Sequence, residues 1–291
     1  MENKKRQKFF IIGGDLRQLK CASYLKKKGF DTVLYGFSPD ADDISVMSEI
    51  SENPADDIKT ADFILLPLPV TYDSVTINAP LSKEKIPLGI IYENIGENTQ
   101  IFGGMINEEF KNCCISKNIH DYAKNEEFLV KNAAITVEGA FDIIFSETPI
   151  SVFGSELLIT GYGRIGKITA NVASSLGAHV TVAARKTSDL SWIELNGFTP
   201  VKYKNLEYEI GKFDIIVNTV PYRIFDKKLI SKIADGAFFI DLASLPGGCD
   251  MKDMQMFGVK AVHALSLPGK TAPYSSGKII SDTIINMIDK D

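Results

Sequence analysis

The most informative stretch of this 291-residue chain is "GYGRIG", residues 161–166. It follows an apolar run, "ELLIT", and opens a helical pattern. Gly161, Gly163 and Gly166 have the spacing of a dinucleotide-binding turn. The first glycine permits a tight bend, the second lets the backbone approach a pyrophosphate, and the third lets the helix pack closely on the strand. The helix-opening N–H groups at Arg164, Ile165 and Gly166 then face the phosphates. A second stretch, "TVAARKTS" (181–188), lies where such sites usually carry the acid that takes the ribose hydroxyls. Here Arg185, Lys186, Thr187 and Ser188 stand instead. A guanidinium makes bidentate, charge-assisted bonds to phosphate, whereas an acid repels it. The pattern therefore favours NADP over NAD. A solvated turn that happens to carry two cations remains the alternative.

Other candidates follow from the rule that ligands of open α/β sheets sit beyond the carboxyl ends of the strands. "DIIVNTVP" ends in Asn218, Thr219, Val220 and Pro221, and "FFIDLASLPGG" offers Asp241, Ala243 and Ser244. Asp241 and Ser244 are equally well explained as turn formers. "GGDLRQ" puts Asp15, Arg17 and Gln18 at a strand end and helix start, where Arg17 can clamp a carboxylate or simply face water. Glu138 interrupts the apolar stretch "AAITVEGAF". It reads as an interdomain acid with a raised pKa or as an ordinary acid at a helix N-terminus. "ALSLPGKT" (264–271) loosely matches a phosphate loop, but Pro268 has no N–H to donate, so NTP hydrolysis is not expected. We expect "LPGKTAP" to be a loop bordering an interdomain cleft, with Lys270 as an anion contact.

The elements that must position these residues alternate between strand-like and helix-like segments, the signature of an α/β fold with parallel sheets. In the first half, "KFFIIGGD", "TVLYGF" and "DFILLPLP" read as strands, and residues 15–29 as a helix with Leu16, Leu19, Ala22 and Leu25 on one stripe. Residues 124–147 read as helical with a break near Asn132–Ile135, and Val137, Phe141, Ile144 and Phe145 share a face. In the second half, strands are expected at 157–160, 179–184, 214–218, 237–242 and 260–262. Helices are expected at 164–176, 188–196 and 226–234. Two Rossmann-like domains result, the second a dinucleotide-binding parallel sheet with helices on both faces, with the C-terminal helix packing back near the cleft. The expected boundaries are 1–135 for an N-terminal substrate or partner domain, 136–150 for an interdomain helix, 151–270 for the NADP-binding domain and 271–291 for the closing helix.

Bulk properties narrow the function. A net charge of −5 argues against a general nucleic-acid or membrane-surface binder. Four cysteines without a CxxC pair and three scattered histidines suggest neither a metal site nor a disulfide framework. No signal-peptide pattern or membrane-length apolar run is present, so a cytoplasmic location is expected.

Together, "IIGGDLRQL", "TVEGA" (136–140), "GYGRIGK", "AARK", "NTVP", "DLASLPGGCD" and "LPGKTAP" resemble the A subunit family of bacterial dipicolinate synthase, in order along nearly the whole chain. The resemblance is weakest over residues 70–120. It implies an NAD(P)-dependent oxidation of dehydrated 4-hydroxytetrahydrodipicolinate, on a branch of the lysine and diaminopimelate pathway, in the mother cell of a sporulating bacterium. It implies a small dicarboxylate as substrate and, as partner, a flavoprotein-like B subunit. On this basis Glu138 is the candidate for proton transfer, and Asp15, Arg17, Gln18, Thr136 and Lys270 are candidate substrate contacts. Two other functions remain open: an oxidoreductase of the shikimate or alanine dehydrogenase kind acting on another small carboxylate, and a non-catalytic subunit that senses NADP(H).

Overall fold

In the computed structural model, which describes residues 6–38 and 49–289, the chain divides into two units. Unit 1 runs to Asn132 and resumes at Ala272; unit 2 is Ala133–Thr271. Among the described residues each unit holds one six-stranded parallel sheet.

Unit 1 contains β1 (Lys8–Ile12), α1 (Leu16–Lys27), β2 (Asp31–Tyr35), β3 (Glu49–Ile50), α2 (Pro54–Thr60), β4 (Phe63–Leu65), α3 (Gly89–Asn94), β5 (Gln100–Gly103), α4 (Glu108–Cys113) and β6 (Ile119–Asp121). The strand order β3-β2-β1-β4-β5-β6 is that of a doubly wound sheet, with its switch point between β1 and β4. Phe9, Phe10, Ile11 and Ile12 are all buried, because helices cover both faces of the sheet and no alternation is possible. Lys26 and Lys27 occupy the last turn of α1, and Gly29 follows at φ +98°, as a helix end of this kind requires.

The helix α5 (Glu126–Glu147) then runs unbroken, and the boundary between the units falls inside it. The expected break near residues 132–135 is absent. Ala133 and Ala134 are strong helix formers, and Ile135, Val137, Phe141 and Ile144 continue one buried stripe. Phe145 leaves that stripe and is exposed.

Unit 2 contains β7 (Glu156–Thr160), α6 (Arg164–Ser175), β8 (His179–Ala184), α7 (Thr187–Leu195), β9 (Thr199–Lys202), α8 (Leu206–Glu209), β10 (Ile215–Asn218), α9 (Lys227–Ile230), β11 (Phe238–Asp241), α10 (Met251–Met256), β12 (Lys260–His263) and α11 (Leu267–Thr271). Its strand order, β12-β11-β10-β7-β8-β9, repeats the doubly wound arrangement, with the switch point between β7 and β10. The expected helix at 226–234 shrinks to the four residues of α9, whose first turn is capped by Asp226. "LPGKT" is not a loop: Leu267–Thr271 forms a helical turn that starts after Ser266, at φ +59°. Pro268 lies in the first turn of that helix, where a missing N–H costs nothing.

The closing helix α12 (Pro273–Ile288) returns to unit 1 and packs along α1. A Cβ at Gly277 would lie 2.6 Å from the Arg17 carbonyl oxygen, so glycine lets the two backbones approach. Ile280, Thr283 and Ile284 are buried on that face. No helix among the described residues is long and apolar enough to cross a membrane.

Candidate functional site

The glycine turn of unit 2 connects β7 to α6 and lies at the switch point of the sheet. Gly161 has φ +95°, and its N–H donates to the Ala183 carbonyl at 2.9 Å. A Cβ there would also lie 2.6 Å from Thr219 Oγ1 and 2.7 Å from Val220 Cγ2. A Cβ on Gly166 would overlap the Gly161 carbonyl oxygen. Gly163 differs: its Cβ would meet nothing within 4 Å. Two glycines are therefore required by the protein itself, whereas the middle one keeps space open. Gly163 is also the N-cap of α6 and provides no side-chain cap for the helix-opening N–H groups. An open-sided turn ahead of a 12-residue helix is the shape and polarity that a pyrophosphate needs.

Beside the turn is a cavity of about 520 Å³, lined by Gly161, Tyr162, Ala184, Arg185, Lys186, Asp189, Tyr203, Val220, Tyr222, Arg223, Ile224 and Leu229. Arg185 and Lys186 leave the end of β8 and are exposed. Among the described residues neither makes a side-chain hydrogen bond or an ion pair. Arg223 is committed to Asp250 at 3.0 Å. Ser188 is exposed in the first turn of α7 and does not line the cavity. Tyr203 is half-buried; burial pushes its phenol up to about 12, against the pull of nearby Arg185.

Sequence reading missed Tyr203, Tyr222, Arg223 and Asp189. Tyr203 follows β9, a four-residue edge strand that contains a proline and gives little periodic signal. Tyr222 and Arg223 directly follow "NTVP", and that adjacency was the available clue.

The other strand ends form a buried polar network. Thr160 Oγ1 donates to Asn218 Oδ1 at 2.6 Å, and Asn218 Nδ2 donates to Asp241 Oδ1 at 2.7 Å and to the Val220 carbonyl at 3.0 Å. Thr219 Oγ1 donates to the Thr160 carbonyl at 2.8 Å. Asp241 also accepts from the Ala243 N–H at 3.0 Å and the Gly248 N–H at 2.7 Å. Thr160, Asn218 and Asp241 are fully buried. Asn218 and Asp241 thus shape the loops from within, while Thr219 and Val220 carry the wall that meets Gly161. Pro221 is exposed after them. Ala243 is buried, and its carbonyl faces His263 Nε2 at 2.8 Å. Of the two roles open to Asp241, the turn-forming one describes its contacts.

Unit 2 also brings "TVEGA" and "LPGKT" together. A Cβ on Gly139 would collide with Thr271 Oγ1 and lie 3.2 Å from Leu267 Cβ, so α11 lies directly on α5. Glycine inside a helix costs about 1 kcal/mol relative to alanine, a cost offset here by the close approach. Glu138 and Lys270, one residue before each contact partner, are both exposed, and Thr136 is buried. Glu138 lies mid-helix, not at a helix N-terminus.

In unit 1, Asp15 is the N-cap of α1 in a capping box: its side chain accepts from the Arg17 N–H at 2.9 Å, and Gln18 Oε1 accepts from the Asp15 N–H at 3.1 Å. Arg17 is buried and turns its guanidinium onto Asp15, with Nε at 2.9 Å from Oδ1 and Nη2 at 2.9 Å from Oδ2. Nη2 also donates to the Leu68 carbonyl at 2.9 Å. Burial works against the charge of Arg17, but the Asp15 carboxylate, helped by Tyr122 and Tyr72, outweighs it, so the guanidinium pKa is raised. These three residues form a unit, but its net charge is close to neutral.

Comparison with known proteins agrees with this division. A family model for the N-terminal domain of the dipicolinate synthase A subunit matches residues 8–123. A model for the NAD-binding domain of D-isomer-specific 2-hydroxyacid dehydrogenases matches residues 136–244. Unit 2 is therefore a dehydrogenase-type domain for a nicotinamide dinucleotide. The dipicolinate synthase A subunit of Bacillus subtilis (strain 168) is 29% identical over 97% of this chain and 95% of its own length. The crystal structure of the dipicolinate synthase A subunit from Bacillus halodurans superposes with a TM-score of 0.88 at 27% identity, covering 97% of each chain. That of the dipicolinate synthase A chain from Bacillus subtilis gives 0.86 at 27% identity, over 98% of this chain and 96% of the other. The likeness spans both units, from the GGD capping box of the first to the glycine turn of the second, and over nearly its whole length this chain is similar to the A subunit of dipicolinate synthase.

Proposed function

We propose that this chain is the NAD(P)-dependent oxidoreductase component of a dipicolinate synthase, with NADP favoured over NAD, working with a B subunit in the mother cell of a sporulating bacterium. The observation that carries the proposal is the open-sided turn at Gly163 beside two uncommitted cations, Arg185 and Lys186, in a chain similar to dipicolinate synthase A subunits over nearly its whole length. In the proposed reaction 4-hydroxytetrahydrodipicolinate loses water. The dihydro product then loses a hydride and a proton to give the aromatic dicarboxylate, and aromatisation drives the oxidation. The cofactor supplies, when bound, the hydride acceptor. The glycine turn and the N-terminus of α6 hold the pyrophosphate, and Arg185 and Lys186 meet the 2′-phosphate, whereas Ser188, outside the cavity lining, is not assigned a contact.

Arg185→Ala is expected to weaken NADPH binding roughly 10- to 100-fold, the worth of one charge-assisted pair, while changing NADH affinity little. Equal losses for both nucleotides, in a fluorescence titration, would remove Arg185 from the phosphate site.

Glu138 is proposed for proton transfer, and Thr136 and Lys270 as substrate contacts on unit 2. Lys270 brings an unneutralised charge to a dianionic substrate. On unit 1, Asp15, Arg17 and Gln18 are proposed as substrate contacts in which Arg17 is already partnered by Asp15. Glu138→Gln should keep NADPH affinity within about twofold and lower turnover by roughly 100-fold or more. Retained turnover would take Glu138 out of the mechanism.

The function as a whole is tested by mixing freshly generated 4-hydroxytetrahydrodipicolinate with NADP and this chain, with and without a B subunit. Dipicolinate formed in step with NADPH supports the proposal. NADPH binding without product in either mixture would favour a dehydrogenase for another carboxylate or a nucleotide sensor.

A further inference from the structure

The cavity beside the glycine turn holds one uncommitted carboxylate among its cations. Asp189 lines it together with Arg185, Lys186 and Tyr203. Among the described residues its side chain makes no hydrogen bond or ion pair. An acid in the first turn of α7 is accounted for by the helix dipole. The dipole does not account for a carboxylate facing the cavity in which two cations stand free.

The position matters because the two nicotinamide dinucleotides differ only at the adenosine 2′-oxygen. A carboxylate accepts a hydrogen bond from a 2′-hydroxyl and repels a 2′-phosphate; a guanidinium does the reverse. Usual sites for NAD place the acid at the end of the second strand. Here the end of β8 carries Arg185, and the acid sits four residues later, on the helix that follows. Both chemistries thus reach one cavity from two adjacent elements.

We propose that Asp189 is a specificity-determining residue: it accepts from the 2′-hydroxyl of NAD and opposes the 2′-phosphate of NADP, so that the site takes both nucleotides and Asp189 sets their ratio. The proposal rests on the dinucleotide site described above but not on the identity of the substrate. Asp189 touches no reacting atom, so its effect belongs in binding and not in the chemical step.

The test is a set of dissociation constants for NADPH and NADH, measured on the full chain by nucleotide fluorescence, for the parent, Asp189→Asn, Asp189→Ser, Arg185→Ala and the Arg185→Ala/Asp189→Asn double variant. Asp189→Asn is expected to tighten NADPH roughly three- to tenfold and to weaken NADH roughly threefold, raising the preference for NADPH about tenfold or more. Asp189→Ser should move the ratio in the same direction, and the shift should shrink at high salt. Both variants should melt within a few degrees of the parent. A ratio within twofold of the parent in both Asp189 variants overturns the proposal, and so does a parent that binds neither nucleotide. A ratio that moves in Asp189→Asn but not in Arg185→Ala upholds the role of Asp189 and refutes the assignment of Arg185 to the 2′-phosphate.

Discussion

Gly163→Ala is expected to leave unit 2 folded and to weaken dinucleotide binding by roughly 30- to 1,000-fold. The backbone at Gly163 is extended, with φ −81° and ψ −162°, which alanine adopts without strain. A methyl group there meets no protein atom within 4 Å. The structural cost is that of replacing a glycine N-cap by alanine, about 0.5–1 kcal/mol or a few degrees in Tm. The methyl group does project into the space that a pyrophosphate must fill to reach the N–H groups of α6. Displacing the phosphates lengthens or breaks charge-assisted bonds, at about 2–4 kcal/mol. Gly166→Ala gives the contrasting result. Its Cβ would strike the Gly161 carbonyl oxygen, a backbone atom that cannot rotate away. Destabilisation of about 3 kcal/mol or more is expected, with binding lost as a consequence of misfolding. Calorimetry on the two variants separates the cases. If Gly163→Ala melts like Gly166→Ala, the middle glycine is structural and the open space beside it is not a phosphate site.

The second large effect concerns the loops opposite the turn. Asp241→Asn should cost about 2–4 kcal/mol and lower the melting temperature by on the order of 5–10 °C. The carboxylate is fully buried and accepts from Asn218 Nδ2, the Ala243 N–H and the Gly248 N–H. All three partners are donors. An amide of the same size must turn its NH₂ toward at least one of them, so one buried donor loses its acceptor and another is added without one. A Cβ on Gly247 would lie 2.7 Å from Asp241 Oδ2, which leaves the loop no room to move away. Because Asn218 ties this carboxylate to Val220, the same change should weaken dinucleotide binding. NADPH at 100 times its Kd should restore about 2.7 kcal/mol of apparent stability. Unchanged melting in Asp241→Asn would mean that the network does not hold the loops.

Much of this protein follows from local sequence. Apolar runs ending in glycine, followed by helical stripes, define two α/β units without any knowledge of contacts. His179–Ala184 is a strand over the range expected from its residues, and α6 begins at Arg164 as the fingerprint requires. The tight bend at Gly161 and the close packing at Gly166 were also legible, because each reflects a constraint on backbone within a few residues.

Tertiary contact decided the rest. Whether the helix through Asn132 breaks is not a local property: Val137, Phe141 and Ile144 hold it straight by burial. "LPGKT" has loop composition and became a helical turn because it packs on Gly139, more than a hundred residues earlier. The role of Asp241 depends on Asn218, 23 residues away, and on a strand order that no single segment encodes. The cavity beside the glycine turn gathers side chains from the end of β8, α7, the segment after β9 and the turn after β10, so Tyr203 and Asp189 acquire their positions only when those strands align. Apart from the helix through Asn132 and the turn at Leu267–Thr271, local sequence determined which backbone segments bend, extend or coil, since those preferences are set within a turn or two. Which side chains share a cavity was left to the packing of the sheet, because burial and charge act between residues that only the fold makes neighbours.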